Sequence, residues 1–427
     1  MSALFFLQFL FQGLFVFGQE ASTVPSIHQL IQSQTDDIFD SLVKIRRDLH
    51  KHPEVSEQEE KTSKKIQEYL LSLGLEVKTN IGGYGVVGIL KGAKEGKRIA
   101  WRADIDAMPS DVPDVVDFKS ENKGVRHICG HDVHTTIGMG IANVLASQKE
   151  NLQGTIYFVF QPAEENYKGA RAMINDGLFD LIQPEEIYAL HISPLPTGLI
   201  ATKPGPLYAY LNRIDIKYKI SDKDKDTLIN YTKNLLSSYQ NVEKDSKFWD
   251  VKNTLDPKVG LANPNTIFKN YLTLLQDFSI QESEGEVTIS SLINSSDQQQ
   301  LNALIKDVEA EIRTSRYAED LLSVAYSYEK DILFNDEKLA PEALNHIANI
   351  YGAETAVLLH GVTPGYFGDD FAYFQEKLPG VYFFLGGSNY ENGIISMPHT
   401  PNFAVDEECI RTGVNYFSSM MVERLND

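Results

Sequence analysis

Cysteine is nearly absent from this chain: 427 residues carry two, Cys129 and Cys409. A framework of several disulfides is thereby excluded, and one pairing at most is available in an oxidising compartment. Basic residues are also few, 39 Lys and Arg against 59 Asp and Glu, for a formal charge of −20. That balance excludes a typical nucleic-acid binder, because phosphate backbones reward Lys and Arg; acidity of this kind serves solubility. There is no internal repeat and no low-complexity tract. What remains is ordinary for a globular protein, 42% hydrophobic and 23% charged. The length admits two domains, since single cores stop growing near ~250 residues.

Charge is missing locally as well. Residues 1–18 contain no Asp, Glu, Lys or Arg and are dominated by Leu and Phe. An apolar run closing on Val16-Phe17-Gly18, with Gln19-Glu20 beyond, fits a secretory signal and its small-residue cleavage position. It predicts a secreted or periplasmic protein, with no stable membrane association once the signal is removed. An uncleaved anchor is the competing reading, although a spanning helix usually wants ~20 apolar residues.

Beyond the start, Ile38, Leu42, Ile45 and Leu49 sit at helical spacing over 36–50. Ser56-Glu57-Gln58-Glu59 then reads as a capping box for a second helix running to Leu73 and stopping at Gly74. From residue 98 a pattern recurs in which an apolar strand ends and a polar residue follows at once. Arg98 to Trp101 runs into Asp104 and Asp106, Thr155 to Phe160 into Gln161-Pro162-Ala163-Glu164-Glu165, and Ile187 to Leu190 into His191. Helical segments lie between, so the class is α/β with a mainly parallel sheet. Ligands of such sheets bind outside the carboxyl ends of the strands, where these polar residues would meet. At about Arg213 the pattern changes: residues 214–220 alternate as a half-exposed strand does, and Leu301, Leu304, Ile305, Val308 and Ile312 form one helix face. This reads as a smaller α+β domain inserted into the larger one. The polar stretch 239–275 has no assignable period.

The densest chemistry lies in Arg126-His127-Ile128-Cys129-Gly130-His131-Asp132-Val133-His134, where one cysteine is packed among three of the ten histidines. Thiolate sulfur and imidazole nitrogen suit zinc and its neighbours. With Glu165, His191 and His399, the residues Cys129 and His131 make five candidate ligands from four separated places, enough for two ions a few ångströms apart. Glu164 beside Glu165 suggests two carboxylates dividing the work, one on metal and one moving a proton. His50 and His52 suit the end of the first helix. His134 reads as structural or supporting, His127, His346 and His360 have no partner in sequence, and Asp369-Asp370 reads as a helix cap.

Taken in order, seven motifs resemble the M20 metallopeptidase family, and within it the aminoacylase-like amidohydrolases that cleave N-acyl amino acids, the auxin-conjugate and hippurate hydrolases among them. They are Arg46-Arg47-Asp48-Leu49-His50 with His52-Pro53-Glu54, Arg102 to Pro109, Cys129-Gly130-His131-Asp132-Val133-His134, Gln161 to Glu165, Leu190-His191, Gly368-Asp369-Asp370-Phe371 and Pro398-His399-Thr400-Pro401. The resemblance implies a metal-dependent amidohydrolase holding two divalent ions (zinc, manganese or cobalt), with Cys129 between them. It puts Glu165 and His399 on one ion, His131 and His191 on the other. Glu164 becomes the general base and Asp106 the carboxylate that orients a ligand. The implied substrate is a small N-acyl amino acid or peptide. The implied organisation is a signal over 1–18, a catalytic first part over 27–210, an inserted lid over 211–330 that also serves a homodimer, and a catalytic second part over 331–427.

One expected feature is missing. Members of the family carry a His-Ala pair near the start of the lid, and that histidine reaches a substrate carbonyl. Residues 211–330 contain no histidine, and Lys219 to Asp224 stands in the motif's place. Losing one donor to an oxyanion costs about 10²-fold or more in rate. A member that keeps the metals but only binds its ligand is therefore the competing reading; the intact Glu164 favours the enzyme.

Overall fold

The computed structural model describes residues 25–219, 224–275 and 277–427. The apolar start and the cleavage position expected there lie outside the described residues, as do positions 220–223 of the stretch that stands in place of the His-Ala motif. Among the described residues no helix is long and apolar enough to cross a membrane.

The first helix runs Ile27–Lys51, longer than apolar spacing predicts, because Ser26 and Gln29 cap it reciprocally: each side chain accepts the other's backbone N–H. The box expected at residues 56–59 does not form. The second helix spans Glu60–Ser72, and it is the Glu54 carboxylate that accepts the N–H groups of Lys61 and Thr62, at 3.1 and 2.8 Å. Ser56 and Glu59 are turned the other way, onto Asp106 and Ala163.

Eight strands form the main sheet, in the order Glu76–Ile81, Gly85–Lys91, Gln153–Gln161, Lys94–Asp104, Glu186–Pro196, Gly380–Ser388, Ile200–Thr202 and Ala356–Leu358. The four central strands pair in parallel. Alternate side chains serve the two faces: Ile99, Trp101 and Ala103 pack with the helices Ile27–Lys51, His131–Ser147 and Glu408–Asn426, while Ala100 packs on the opposite side with Val159 and Ala189. Burial on both faces explains why these strands read as continuous apolar runs. The strand of His191 does not stop at Leu190. It continues to Pro196, held by the register Phe384 to His191 and Leu385 to Ile192.

A second, antiparallel sheet holds Leu272–Leu274, Glu286–Ser295, Tyr210–Lys219 and Leu321–Glu329 in that order, with Ser279–Ser283 also paired to Glu286–Ser295. Ile214, Ile216 and Tyr218 point into a core of their own with Leu301, Leu304, Val308 and Ile312 of the helix Gln298–Thr314. The stretch 239–275 has no period because, ahead of the strand Leu272–Leu274, its regular structure is limited to the short turns Lys247–Trp249 and Val251–Leu255, and it is fixed by side chain to backbone bonds such as Asn241 Oδ1 on the Leu272 N–H at 2.7 Å. Cys129 and Cys409 are both free and buried, so no disulfide braces either part.

Candidate metal centre

Register brings the polar strand ends level. Asp104 pairs with Gln161 and Arg102 with Ala189, so His191, two residues on, lies at the height of Asp104. The helix His131–Ser147 starts beside them. Its N-cap is Gly130 at φ 91°, and a Cβ there would lie 2.5 Å from Ile192 Cγ2; glycine alone lets the turn carrying Cys129 and His131 press against this strand. The loop of His399 is tied to the same place, the His399 N–H donating to Ile128 O at 2.8 Å.

The result is two donor groups that share one sulfur. Ligand atoms of Cys129, His131 and His191 lie within 4.8 Å of one another, and so do those of Cys129, Glu165 and His399. Cys129 Sγ is 3.2 Å from His191 Nε2 and 3.1 Å from His399 Nε2, and His399 Nε2 is 3.5 Å from Glu165 Oε1. The hydrogen bonds fix which nitrogens face the site. His131 Nδ1 donates to Asp106 O at 2.9 Å and His191 Nδ1 to Ile192 O at 2.7 Å, so Nε2 of each ring is the atom turned to the shared space. Against the pull of burial, Asp104 and then Cys129 hold the His131 ring well above the ordinary histidine value, so an ion at its Nε2 would take the place of a proton there. Burial, with His134 adding, holds His191 well below the ordinary histidine value and so uncharged.

These donors fit divalent ions. His131 Nε2 and Glu165 Oε1 are buried and have no hydrogen-bond partner, a cost that a cation removes. Burial, then the Glu165 charge, pushes the Cys129 thiol well above its ordinary value, and positive charge at the sulfur is what would let it ionise.

Glu164 stands apart from the sulfur. Its Oε2 is 3.7 Å from His131 Nε2; it also shares a cluster of ligand atoms within 4.8 Å with His131 and Glu165, and another with Asp369 and Asp370. Burial first, and then Asp369, raise its proton affinity well above that of a free carboxyl. Asp106 braces several groups at once. Oδ1 lies 3.2 Å from His131 Nδ1, and Oδ2 accepts from the Glu165 N–H at 3.0 Å and from Ser56 Oγ at 2.7 Å.

Two residues hold this ground together: His134, read from sequence as structural or supporting, and Arg102, which the sequence showed only as part of a motif. His134 accepts the Ile192 N–H on Nε2 at 2.8 Å, so its proton sits on Nδ1, 2.7 Å from Asp104 Oδ1. With both nitrogens used, it offers nothing to a metal, and it fixes the backbone of Ile192, the residue whose carbonyl orients His191. Arg102 is fully buried, donating to Asp104 at 2.7 Å, to Asp369 at 3.0 Å, to Asp370 at 3.2 Å and to Gln161 at 2.8 Å. The helix cap expected of Asp369-Asp370 does not form, since the short helix Ala372–Gln375 has Phe371 at its N-cap and no side-chain cap; Asp369 accepts the Phe371 N–H at 2.7 Å ahead of it and also binds Arg102 and the Tyr382 hydroxyl. The signal was present in sequence: an arginine at the end of an apolar strand is buried only if acids meet it. Removing it strands those carboxylates, so Arg102→Met is expected to cost about 3–5 kcal/mol of stability. Urea unfolding would show this as a lower midpoint at unchanged slope; an unshifted midpoint would contradict it.

The remaining histidines lie elsewhere. His50 Nδ1 meets Asp132 at 2.8 Å, His52 Nδ1 the Asp48 carbonyl at 2.9 Å and His346 Nε2 Asp427 at 3.0 Å. His127 is buried with neither ring nitrogen partnered, and nothing in the site uses it.

Residues 100–423 match the family model described as Peptidase family M20/M25/M40. Thermostable carboxypeptidase 2 of Saccharolobus solfataricus is 30% identical over 402 residues, 90% of this chain and 95% of that protein. N-acetylcysteine deacetylase of Bacillus subtilis is 30% identical over 405 residues, 89% of this chain and 96% of the relative. The crystal structure of a dinuclear metal-binding peptidase of the M20 family from Bacillus subtilis superposes with a TM-score of 0.70 and 26% identity, covering 92% of this chain and 99% of the other.

Proposed function

This chain belongs to peptidase family M20/M25/M40 and is a metal-dependent amide hydrolase, and we propose that it cleaves N-acyl amino acids or small peptides at the amide bond to the amino acid. The names of its relatives support that class, since a carboxypeptidase and an N-acetylcysteine deacetylase both release an amino acid from an acyl group. The observation that carries the reading is the Cys129 sulfur common to two donor groups, with Glu164 beside them and outside both.

Cys129 would be shared by two divalent ions, His131 and His191 completing the holding of one, Glu165 and His399 that of the other. Bound there, such ions supply Lewis-acid polarisation of the amide carbonyl and make water a stronger acid. Thiolate, imidazole and carboxylate together suit zinc, manganese or cobalt. The chain's own residues do the rest. Glu164 takes a proton from the attacking water and returns it to the leaving amine nitrogen. Asp106 holds His131 in the tautomer that leaves Nε2 free and steadies the Glu165 backbone. Arg102 offsets the acidic groups behind Glu164.

The test is a screen of the purified, metal-loaded protein against N-acetyl, N-benzoyl and dipeptide substrates, with amino-acid release as the readout. Release from at least one class is expected; binding of a product amino acid with no release from any would favour the binding-only reading. Export is proposed on the uncharged apolar run at 1–18. Mass spectrometry of a secreted or periplasmic fraction is expected to find a chain starting near Gln19, and intact Met1 in a membrane pellet would contradict it.

A further inference from the structure

Glu59 is fully buried and occupies the N-cap position of the helix Glu60–Ser72, yet its side chain does not cap that helix. Glu54 has taken the first amides of the helix, which leaves the Glu59 carboxylate free to reach across. Its Oε1 accepts two backbone N–H bonds, from Glu57 at 3.0 Å and from Ala163 at 2.8 Å. Both residues are in the left-handed region, Glu57 at φ 67° and Ala163 at φ 54°, a conformation costly for residues with a Cβ. Ala163 immediately precedes Glu164. Past that pair the chain turns back sharply, with the N–H groups of Lys168 and Gly169 both donating to Ala163 O, at 3.2 and 3.0 Å. Ala163 is thus gripped through both of its peptides, by Glu59 at its nitrogen and by the returning chain at its carbonyl.

From this geometry we infer that Glu59 is a positioning residue for the reaction: by accepting the Ala163 N–H it holds a strained peptide in the one conformation that directs the neighbouring Glu164 side chain at the site. The inference rests on the proposed role of Glu164 as the base. What matters is an acceptor oxygen at the right reach. The neighbouring support acts one residue beyond Glu164, where Asp106, itself held by the Ser56 hydroxyl, accepts the Glu165 N–H. The adjacent acids therefore have separate braces, and loosening Glu59 should disturb proton transfer while leaving the metal ligands in place.

Two conservative variants separate the possibilities. Glu59→Gln keeps an acceptor oxygen at the same reach and removes the charge; Glu59→Asp keeps the charge and withdraws the oxygen by one methylene. With ion content and KM for an N-acyl amino acid measured alongside, Glu59→Asp is expected to lose about tenfold or more in kcat, the scale of a reacting group misplaced by a fraction of an ångström. It should keep both ions and a KM within about twofold, while Glu59→Gln stays within about threefold of the unmodified kcat. The inference is overturned if Glu59→Asp keeps its kcat, if its loss tracks loss of metal, or if Glu59→Gln is the slower of the two. Glu164→Gln measured in parallel separates the two layers. If it is as fast as the unmodified chain, the reading of Glu164 falls and this one with it; if it is slow while Glu59→Asp is not, only the inference about Glu59 falls.

Discussion

Glu164→Gln is expected to retain both ions, bind substrate with little change in KM, and lose about 10²-fold or more in kcat. The substitution keeps the size and shape of the side chain and removes its ability to take a proton. Glu164 comes within reach of His131 and Glu165, but the two groups that share the Cys129 sulfur are complete without it, so its loss should spare the metals. Its neighbour supplies the contrast. Glu165 Oε1 is buried, unpartnered and 3.5 Å from His399 Nε2, so Glu165→Gln exchanges a charged donor for a neutral one and should release metal as well as activity. Metal analysis of the two variants, beside their kinetics, checks the division of labour. Equal ion loss in both would end it.

Cys129→Ser is expected to release at least one ion and to take hydrolysis to background. A serine hydroxyl stays neutral where a thiolate would carry the charge that two cations share, and oxygen without that charge is a far weaker ligand. Burial and the Glu165 charge push the thiol up by more than His131 brings it down, so bound cations are what would hold the thiolate, and exchanging it for a hydroxyl should be felt strongly. Cys409→Ser is the control. Cys409 lies in the apolar core against the helices and bonds to no other cysteine, so its replacement should lower stability modestly and leave ion content unchanged. If both variants lost ions equally, the metal would be answering to general stability, and the assignment of Cys129 would be wrong.

Much of this is legible in the sequence. Strand ends announce themselves as apolar runs followed at once by Asp104, Gln161 or His191, because a parallel sheet buries both faces of its strands and leaves its polar chemistry to their carboxyl ends. The five candidate ligands came from chemical type and order, and they come together as two groups sharing Cys129. Less legible was what holds them. Ser56 and Glu59 fit a capping pattern on spacing alone, and local pattern cannot reveal that Asp106 and Ala163, far along the chain, compete for those side chains and win. His134 looked like one more histidine on a helix; that its two nitrogens bridge Ile192 and Asp104 depends on the register of a strand more than fifty residues away. The first helix began earlier than its apolar spacing implied because its cap, Ser26 with Gln29, is polar and leaves no hydrophobic period. In each case a long-range or purely polar contact decided the outcome, and hydrophobic periodicity does not record such contacts.

The most direct test is a metal titration of the stripped protein. The purified chain is freed of ions with a chelator, then titrated with zinc, manganese or cobalt while hydrolysis of a cleaved N-acyl amino acid is followed. A dinuclear centre built on Cys129 should give no hydrolysis without metal and a rate that levels off near two equivalents per chain, as two-metal sites require. Full hydrolysis after complete removal of metal, or a plateau at a single equivalent, would contradict it.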